Sequence, residues 1–206
     1  MKKPPKRSPI ALAALAMLYE APTHPYRMQR LIKERGKDEV INVTQRASLY
    51  QTIDRLKREG LIATQEVVQD DKRPERTVYE ITPAGRDITL EWMRQILSRP
   101  AQEFPDFPAA ISFLPLLTPE DALQQLELRK LAIEAEIKRI DGREQASIVP
   151  RLFLLEMEYL RAMHATELNW VIALIADLRS GTITWSDAWL RQVAEQFAGQ
   201  FGDTDD

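Results

Sequence analysis

The chain contains no cysteine and only two histidines, His24 and His164. Disulfides, thiolate zinc sites and a cysteine nucleophile are therefore excluded, and the composition is compatible with a reducing cytoplasm. Neither histidine has a serine or a metal-ligand pattern beside it, and the seven glycines form no dinucleotide-binding or phosphate-binding motif. The sequence therefore predicts a protein that is not an enzyme and that holds no metal and no cofactor.

Long hydrophobic runs are also missing. The N-terminal apolar run, Ile10–Leu18, has nine residues, which is far too short to span a membrane. A basic segment precedes it, as in a secretory signal, but Ser8 and Pro9 form an N-cap and first-turn pair and no small-residue cleavage site follows. We therefore expect a helix here, a cytoplasmic protein and no membrane partner.

Basic charge is in deficit overall but is concentrated near the N-terminus. The net charge is −3, yet residues 1–90 carry 17 Lys and Arg against 12 Asp and Glu, and residues 91–206 carry 11 against 19. Because salt screens charges over about 10 Å, the local excess governs binding to a polyanion. Ordinary charge scatter is the competing interpretation, and the asymmetry gains weight from the helix described next.

A helix followed by a two-stranded ribbon is predicted within residues 44–81. Leu49, Ile53 and Leu56 recur at i, i+4 and i+7 and therefore share one helix face. The opposite face carries short or hydrogen-bonding side chains and two arginines: Thr44, Ala47, Ser48, Gln51, Asp54, Arg55 and Arg58. A DNA major groove accepts a helix face of this kind. The pattern is typical of a winged helix.

Cap and breaker residues set the boundaries of the other predicted elements. They are helix 1 at Ser8–Glu20, helix 2 at His24–Arg35, helix 3 at Thr44–Glu59 with Thr44 as its cap, strands near Ile62–Val68 and Thr77–Ile81, and helix 4 from Thr82 to about Ser98. Pro100, Pro105 and Pro108 then predict a non-helical linker over residues 99–110. Beyond it we expect long helices from Thr118 to about Gly142 and from Arg151 to Arg179, and one more helix within residues 183–201.

Short motifs occur in a fixed order along the first 85 residues. They are His24-Pro25-Tyr26, Ser48-Leu49-Tyr50, Arg55-Leu56, Glu59-Gly60-Leu61-Ile62, Tyr79, Ile81-Thr82 and Gly85. In this order they resemble the PadR family of transcriptional regulators, and the likeness continues in residues 117–123 and 167–170. Ala47 and Pro25 stand where the family usually has glycine, and Lys57 where it usually has an acidic residue, but none of the three breaks a helix.

The resemblance implies a mainly α fold with two domains. The first is an N-terminal winged helix-turn-helix DNA-binding domain with an α/β wing, over residues 1–98. The second, after the linker, is a C-terminal all-α dimerisation domain over residues 111–206. The expected partners are a second copy of the chain and a palindromic double-stranded DNA operator.

Helix 3 and the wing are predicted to hold that DNA. Ser48 and Gln51 would reach base edges, Arg55 a guanine or a phosphate, and the Tyr50 hydroxyl a phosphate, although a half-buried core position is the alternative for Tyr50. The wing tip and the basic N-terminal arm would add sequence-independent contacts. The predicted DNA-binding residues are Thr44, Ser48, Tyr50, Gln51, Arg55, Arg58, Lys72, Arg73 and Arg76.

The long C-terminal helices are apolar over a wide arc and so need cover on more than one side. A second copy of the chain would supply it, whereas a self-sufficient helical bundle is the alternative. The predicted dimerisation residues are Leu126, Ile133, Ile137, Ile140, Leu160, His164, Leu168, Val171 and Ile175.

A small aromatic effector is also implied by the resemblance, because PadR-like regulators respond to such molecules. Trp92 and Trp170 are the candidate pocket residues, although aromatics at helical spacing more often belong to a core. The sequence therefore predicts a dimeric, sequence-specific transcriptional regulator, a repressor that an effector releases from DNA. The alternatives are a winged-helix protein-interaction module that does not bind DNA specifically, and a regulator of the MarR type.

Overall fold

The computed structural model describes residues 5–43, 46–70, 73–145 and 149–201, with side chains at all of these except residues 46, 67–70, 73–76, 145 and 198–201. The chain forms two compact units, residues 1–102 and 103–206. The domain limits predicted from sequence stay a prediction. Within the described parts, no helix is both long and apolar enough to cross a membrane.

The first unit alternates helices with one hairpin. Its elements are α1 (Pro9–Glu20), α2 (Pro25–Glu34), a short 3-10 helix (Lys37–Glu39), α3 (Arg46–Arg58), β1 (Ile62–Asp70), β2 (Arg73–Ile81) and α4 (Pro83–Ser98). Three of these helices begin at a proline. In each, the side chain of the residue just before the proline accepts a backbone N–H of the first turn, and these N-cap residues are Ser8, His24 and Thr82. These caps satisfy amides that the helix leaves unpaired, and they fix where each helix begins.

The two strands form an antiparallel hairpin that is longer than predicted. Ile62 pairs with Ile81 and Thr64 with Tyr79, with an irregularity between Thr64 and Glu66. The backbone of Thr23, between α1 and α2, exchanges two 3.0 Å hydrogen bonds with Tyr79 on the other edge of β2. The base of the wing is therefore tied to the helices, and its position relative to α3 is fixed.

The core of the first unit lies between α1, α2, α3 and the wing. Its fully buried large side chains are Leu15, Leu18, Met28, Ile32, Leu49, Ile53 and Leu56. Burying each such side chain contributes about 1.5–3 kcal/mol. The face of α3 that carries Leu49, Ile53 and Leu56 is thus held inward, as predicted, and the opposite face must point outward.

An ion pair joins the ends of α1 and α2. Both guanidinium Nη atoms of Arg35 donate to the carboxylate of Glu20, each at 2.8 Å. The hydrogen bond from Arg35 lowers the pKa of Glu20 from its ordinary value, against a smaller opposing effect of burial. Because that pKa is depressed on folding, the pair stabilises the fold above the unfolded-state pKa of Glu20, and the contribution is lost as the pH falls through the folded-state value.

The described residues of the second unit form helices joined by short loops. Its elements are α5 (Asp106–Ser112), a 3-10 helix (Leu114–Leu116), α6 (Pro119–Gln145), a 3-10 helix (Arg151–Phe153), α7 (Leu155–Ser180) and α8 (Asp187–Phe201). α6 and α7 run antiparallel, since Arg179 bonds Glu127 at 2.6 Å and Arg161 bonds Asp141 at 2.5 Å. Between them lies a second core: Leu126, Ile133, Val171, Leu174, Ile175 and Leu178.

The prediction of a non-helical linker over residues 99–110 is wrong in its second half. α5 begins at Asp106, with Pro105 as its N-cap residue and Pro108 inside its first turn. Proline is tolerated there because the first amides of a helix have no intrahelical partner. Two of the three prolines therefore mark the start of a helix rather than its absence.

Candidate nucleic-acid interface

The outward face of α3 is the polar surface expected from its sequence. Ala47, Gln51, Asp54 and Arg58 are exposed, whereas Leu49, Ile53 and Leu56 on the inner face are buried. At about 100° per residue, Gln51 and Arg58 lie opposite that inner face. The structure therefore presents one amide and one guanidinium at the centre of a convex helix surface, where base edges and phosphates could be reached.

One flank of α3 faces the wing. Tyr50 is 46% exposed and lies with Asp54 beside a cavity of about 270 Å³ that Thr77 and Tyr79 of β2 also line. Burial raises the pKa of the Tyr79 phenol above its ordinary value, and the charge of Asp54 adds to the rise. Tyr79 thus stays protonated at neutral pH. The side chain of Tyr50 is thus about half exposed, and its contact with a phosphate stays a prediction.

The other flank of α3 carries Ser48 and Arg55, both partly buried. The Nη1 atom of Arg55 donates to the backbone carbonyl of Lys6 at 2.7 Å, and lies 3.3 Å from both carboxylate oxygens of Glu59. The Nη1 atom of this predicted base reader is therefore already engaged by groups of the protein itself. The local sequence does not predict this contact, because 49 residues separate the two partners.

The remaining predicted DNA-binding residues are only partly described. Thr44 and Lys72 lie outside the described residues. Arg73 and Arg76 belong to β2, but their side chains are not among those described. The described part of the predicted interface is thus the surface of α3.

The two predicted effector residues belong to different units of the chain. Trp92 is 4% exposed and packs in the core of the first unit, so it has no surface to offer a ligand. Trp170 belongs to the second unit, where its ring meets Phe107 edge-on at 5.9 Å. The indole of Trp92 is thus part of the core of the first unit, and a role in effector binding stays a prediction.

Most of the predicted dimerisation residues lie inside one chain. Leu126, Ile133, Ile140, Val171 and Ile175 are buried within the protomer, and Ile137, Leu160, His164 and Leu168 are half-buried. The five buried residues pack within a single chain and leave no surface for a partner. Within the protomer the apolar periodicity corresponds mainly to packing between α6 and α7, and a role of these residues in dimerisation stays a prediction.

Sequence reasoning also missed an apolar cavity in the second unit. It has a volume of about 410 Å³ and is lined by α5, the 3-10 helix that follows and α6. At its rim, the guanidinium of Arg129 lies 3.4 Å from the centre of the Phe107 ring and donates to Glu167 at 2.6 Å. No sequence signal predicts this cavity, because Pro100, Pro105 and Pro108 indicate a non-helical linker where Phe107 and Ala110 lie.

Three packed helices followed by a β-hairpin, with the polar face of the third helix exposed, define a winged helix-turn-helix protein. Residues 14–90 match the model of the transcriptional regulator PadR-like family. The predicted resemblance is confirmed over these residues: the winged helix-turn-helix of this chain is similar to that of the PadR-like transcriptional regulators. No curated protein matches the sequence.

Solved structures share the fold across both units. Bacillus subtilis PadR in complex with operator DNA superposes with a TM-score of 0.68 at 16% identity, covering 82% of this chain and 98% of that one. The same protein in complex with p-coumaric acid gives 0.67 at 16%, covering 84% and 99%. The Vibrio cholerae virulence activator AphA gives 0.64 at 17%, covering 83% and 98%. At these identities the likeness establishes a common fold.

Proposed function

We propose that two copies of this chain bind a palindromic DNA operator, with one α3 helix in each of two major grooves, and thereby repress transcription. The observation that carries the proposal is the outward face of α3, where Gln51 and Arg58 are exposed above a closed core. Such a face gains hydrogen bonds from base edges without any rearrangement of the fold.

Charge distribution supports the same conclusion. The excess of basic residues lies in residues 1–90, which hold α3 and the wing, while residues 91–206 are acidic. The acidic half would be repelled by the phosphate backbone, so the first unit is the one that approaches DNA. The fold shared with a PadR solved on operator DNA is consistent with this arrangement.

The test is binding to the promoter of the gene that encodes this chain, measured by fluorescence anisotropy over a range of salt concentrations. A duplex of the same composition with scrambled sequence is the control. We expect binding to the promoter that is at least about a thousandfold tighter than to the control. Equal affinity for both duplexes would contradict the proposal and favour the protein-interaction module.

The dimer would form through the apolar face of α7 that its own chain leaves uncovered. Leu155, Tyr159, Met163 and Trp170 recur at helical spacing and are between 44% and 63% exposed. At about 100° per residue they fall within one arc of about 80°. An apolar stripe of this kind, with Thr166 as the polar residue between Met163 and Trp170, is suited to a second copy of itself on an acidic surface.

Met163→Glu is expected to break the dimer. In a twofold interface each substitution acts twice, and an unpaired buried carboxylate costs about 3 kcal/mol or more, which weakens association at least about a hundredfold. Sedimentation velocity at micromolar concentration reports the change. Ile172→Glu is the matched control: the same charge enters the same helix at an exposed apolar residue on another face. If both variants stay dimeric, the stripe is not the interface.

Release of the repressor would depend on an apolar effector bound in the cavity between α5 and α6. A planar aromatic acid would place its ring against Phe107 and Ile111 and its carboxylate near Arg129. The relative solved with p-coumaric acid makes that compound the first one to test.

Ala110→Phe is expected to abolish the effector response while operator binding persists. Ala110 lines the cavity, so a benzyl group there occupies the space of the ligand and weakens its binding about 10- to 100-fold. Tryptophan fluorescence is a direct readout, since Trp185 donates to the carbonyl of the cavity residue Leu117 at 2.8 Å. Ala188→Phe, on the exposed surface of α8, is the control. An unchanged response in Ala110→Phe would rule out this cavity.

A further inference from the structure

The N-terminal arm, here defined as residues 5–7, is attached to the recognition helix. The connection is the 2.7 Å hydrogen bond from the Arg55 guanidinium to the backbone carbonyl of Lys6. The same nitrogen, Nη1, lies 3.3 Å from a carboxylate oxygen of Glu59, one turn further along α3. The side chain of Arg55 is only 21% exposed, whereas Lys6 and Arg7 are exposed.

The position of the arm relative to the wing follows from the helix geometry of α3. Tyr50 and Lys57 lie on one flank of the helix, and Lys57 reaches towards the ring of Tyr79 in the wing. Arg55 lies about 140–160° away around the axis, on the opposite flank. The outward face with Gln51 and Arg58 therefore runs between the wing on one side and the arm on the other.

We propose that the arm is a second DNA-backbone contact, and that Arg55 positions the arm rather than reading a base. Lys6 and Arg7 would bind phosphates beside the groove that α3 enters, on the flank away from the wing. This inference rests on the proposed function, because it assumes that the outward face of α3 meets DNA.

Arginine suits this positioning role for physical reasons. Its planar guanidinium is charged at every accessible pH and offers five donors, so one side chain can hold a carbonyl and a carboxylate together. The acceptor on the arm is a backbone carbonyl, which leaves both basic side chains available to a phosphate. Glu59 balances the charge of Arg55, so the net positive charge on this flank comes from Lys6 and Arg7.

A salt series with the full-length protein tests the DNA contact. Replacing Lys6 and Arg7 by glutamine should reduce the slope of log K against log salt by about 0.9 for each lost phosphate contact, or about two to four for a dimer. The reduction should be the same on the operator and on a scrambled duplex, because phosphates carry no sequence. An unchanged slope would overturn the proposal.

A double-mutant cycle tests the role of Arg55. Arg55→Met should weaken binding when the arm is intact, but should change Kd by less than about twofold when Lys6 and Arg7 are already glutamine, since coupled residues are not additive. Arg58→Met, on the same helix but outside this contact, should weaken binding in both backgrounds. Additive losses for Arg55→Met would show that Arg55 meets DNA itself.

Trypsin provides a readout that needs no DNA. Releasing the arm should accelerate cleavage after Lys6 and Arg7 several-fold in Arg55→Met, with Arg58→Met cleaved at the wild-type rate, as followed by mass spectrometry. Equal cleavage rates would refute the docking of the arm. If the wild-type protein bound both duplexes equally, the proposed function would fail, while the slope on the scrambled duplex and the trypsin rates would still decide the role of the arm.

Discussion

Among substitutions that add a single carbon atom, Gly85→Ala is expected to destabilise the first unit most. A Cβ built at this residue would lie 2.0 Å from the carbonyl oxygen of Leu61 and 2.8 Å from Cγ1 of Ile81. The oxygen is backbone and cannot move aside, because it accepts the Thr82 amide at 3.1 Å while the Leu61 amide is bonded to Leu56 at 3.0 Å. α4 would have to leave the base of the wing.

The expected cost is about 3 kcal/mol or more, a large share of the 5–15 kcal/mol that stabilise a typical domain. For a unit of this size the melting temperature should fall by about 10–20 °C, which circular dichroism can follow. Gly142→Ala is the matched control. Gly142 lies within α6 with no atom near a built Cβ, so alanine should stabilise the helix by about 0.5–1 kcal/mol. Similar melting curves for Gly85→Ala and the wild type would contradict the close approach of α4 and β1.

The winged half was predictable because its signals are local. Ser8 and Thr82 cap helices within three residues of the amides they bind, and the 3.6-residue period of Leu49, Ile53 and Leu56 identifies the inner face of α3. Gly85 completes the family motif for a reason that the sequence does not show, which is its distance to Leu61. The motif thus records a packing constraint between α4 and the start of β1.

The second half was harder to read because apolar periodicity does not say which chain covers a face. Leu126 and Val171 show helical spacing and are buried, but they pack between α6 and α7 of one molecule. The uncovered stripe on α7 is equally periodic, as Tyr159 and Met163 illustrate. Only the three-dimensional structure shows which of the two stripes is covered by the same chain, since both satisfy the same hydrophobic pattern.

Long-range polar contacts could not be predicted from the sequence for a different reason. Arg55 is chemically suited to a base, a phosphate or a carbonyl, and its choice depends on where the chain before α1 runs. The residue type of Trp92 similarly allows a place in a pocket or in a core, and the packing of α4 within the first unit buries its side chain in the core. Residue type limits what a side chain can do, and the fold selects among the possibilities.

Gln51→Glu is expected to weaken operator binding strongly without affecting stability. Gln51 is exposed at the centre of the outward face of α3, and no described hydrogen bond of the fold depends on its amide. The substitution keeps the shape of the side chain, removes the amide donor and adds a negative charge against the phosphates. Loss of one base contact costs about 1–3 kcal/mol, and a dimer loses two, so Kd should rise at least about thirtyfold.

Gln124→Glu is the control for this charge change, since Gln124 is an exposed glutamine of α6 in the second unit. It should bind the operator with wild-type affinity, and both variants should melt at the wild-type temperature. Gln51→Ala separates the two contributions: it loses the base contact alone, so its affinity should drop on the operator but not on a scrambled duplex. An operator affinity that survives both substitutions at Gln51 would mean that this face of α3 does not enter the groove, and a winged helix serving another partner would then be the better account.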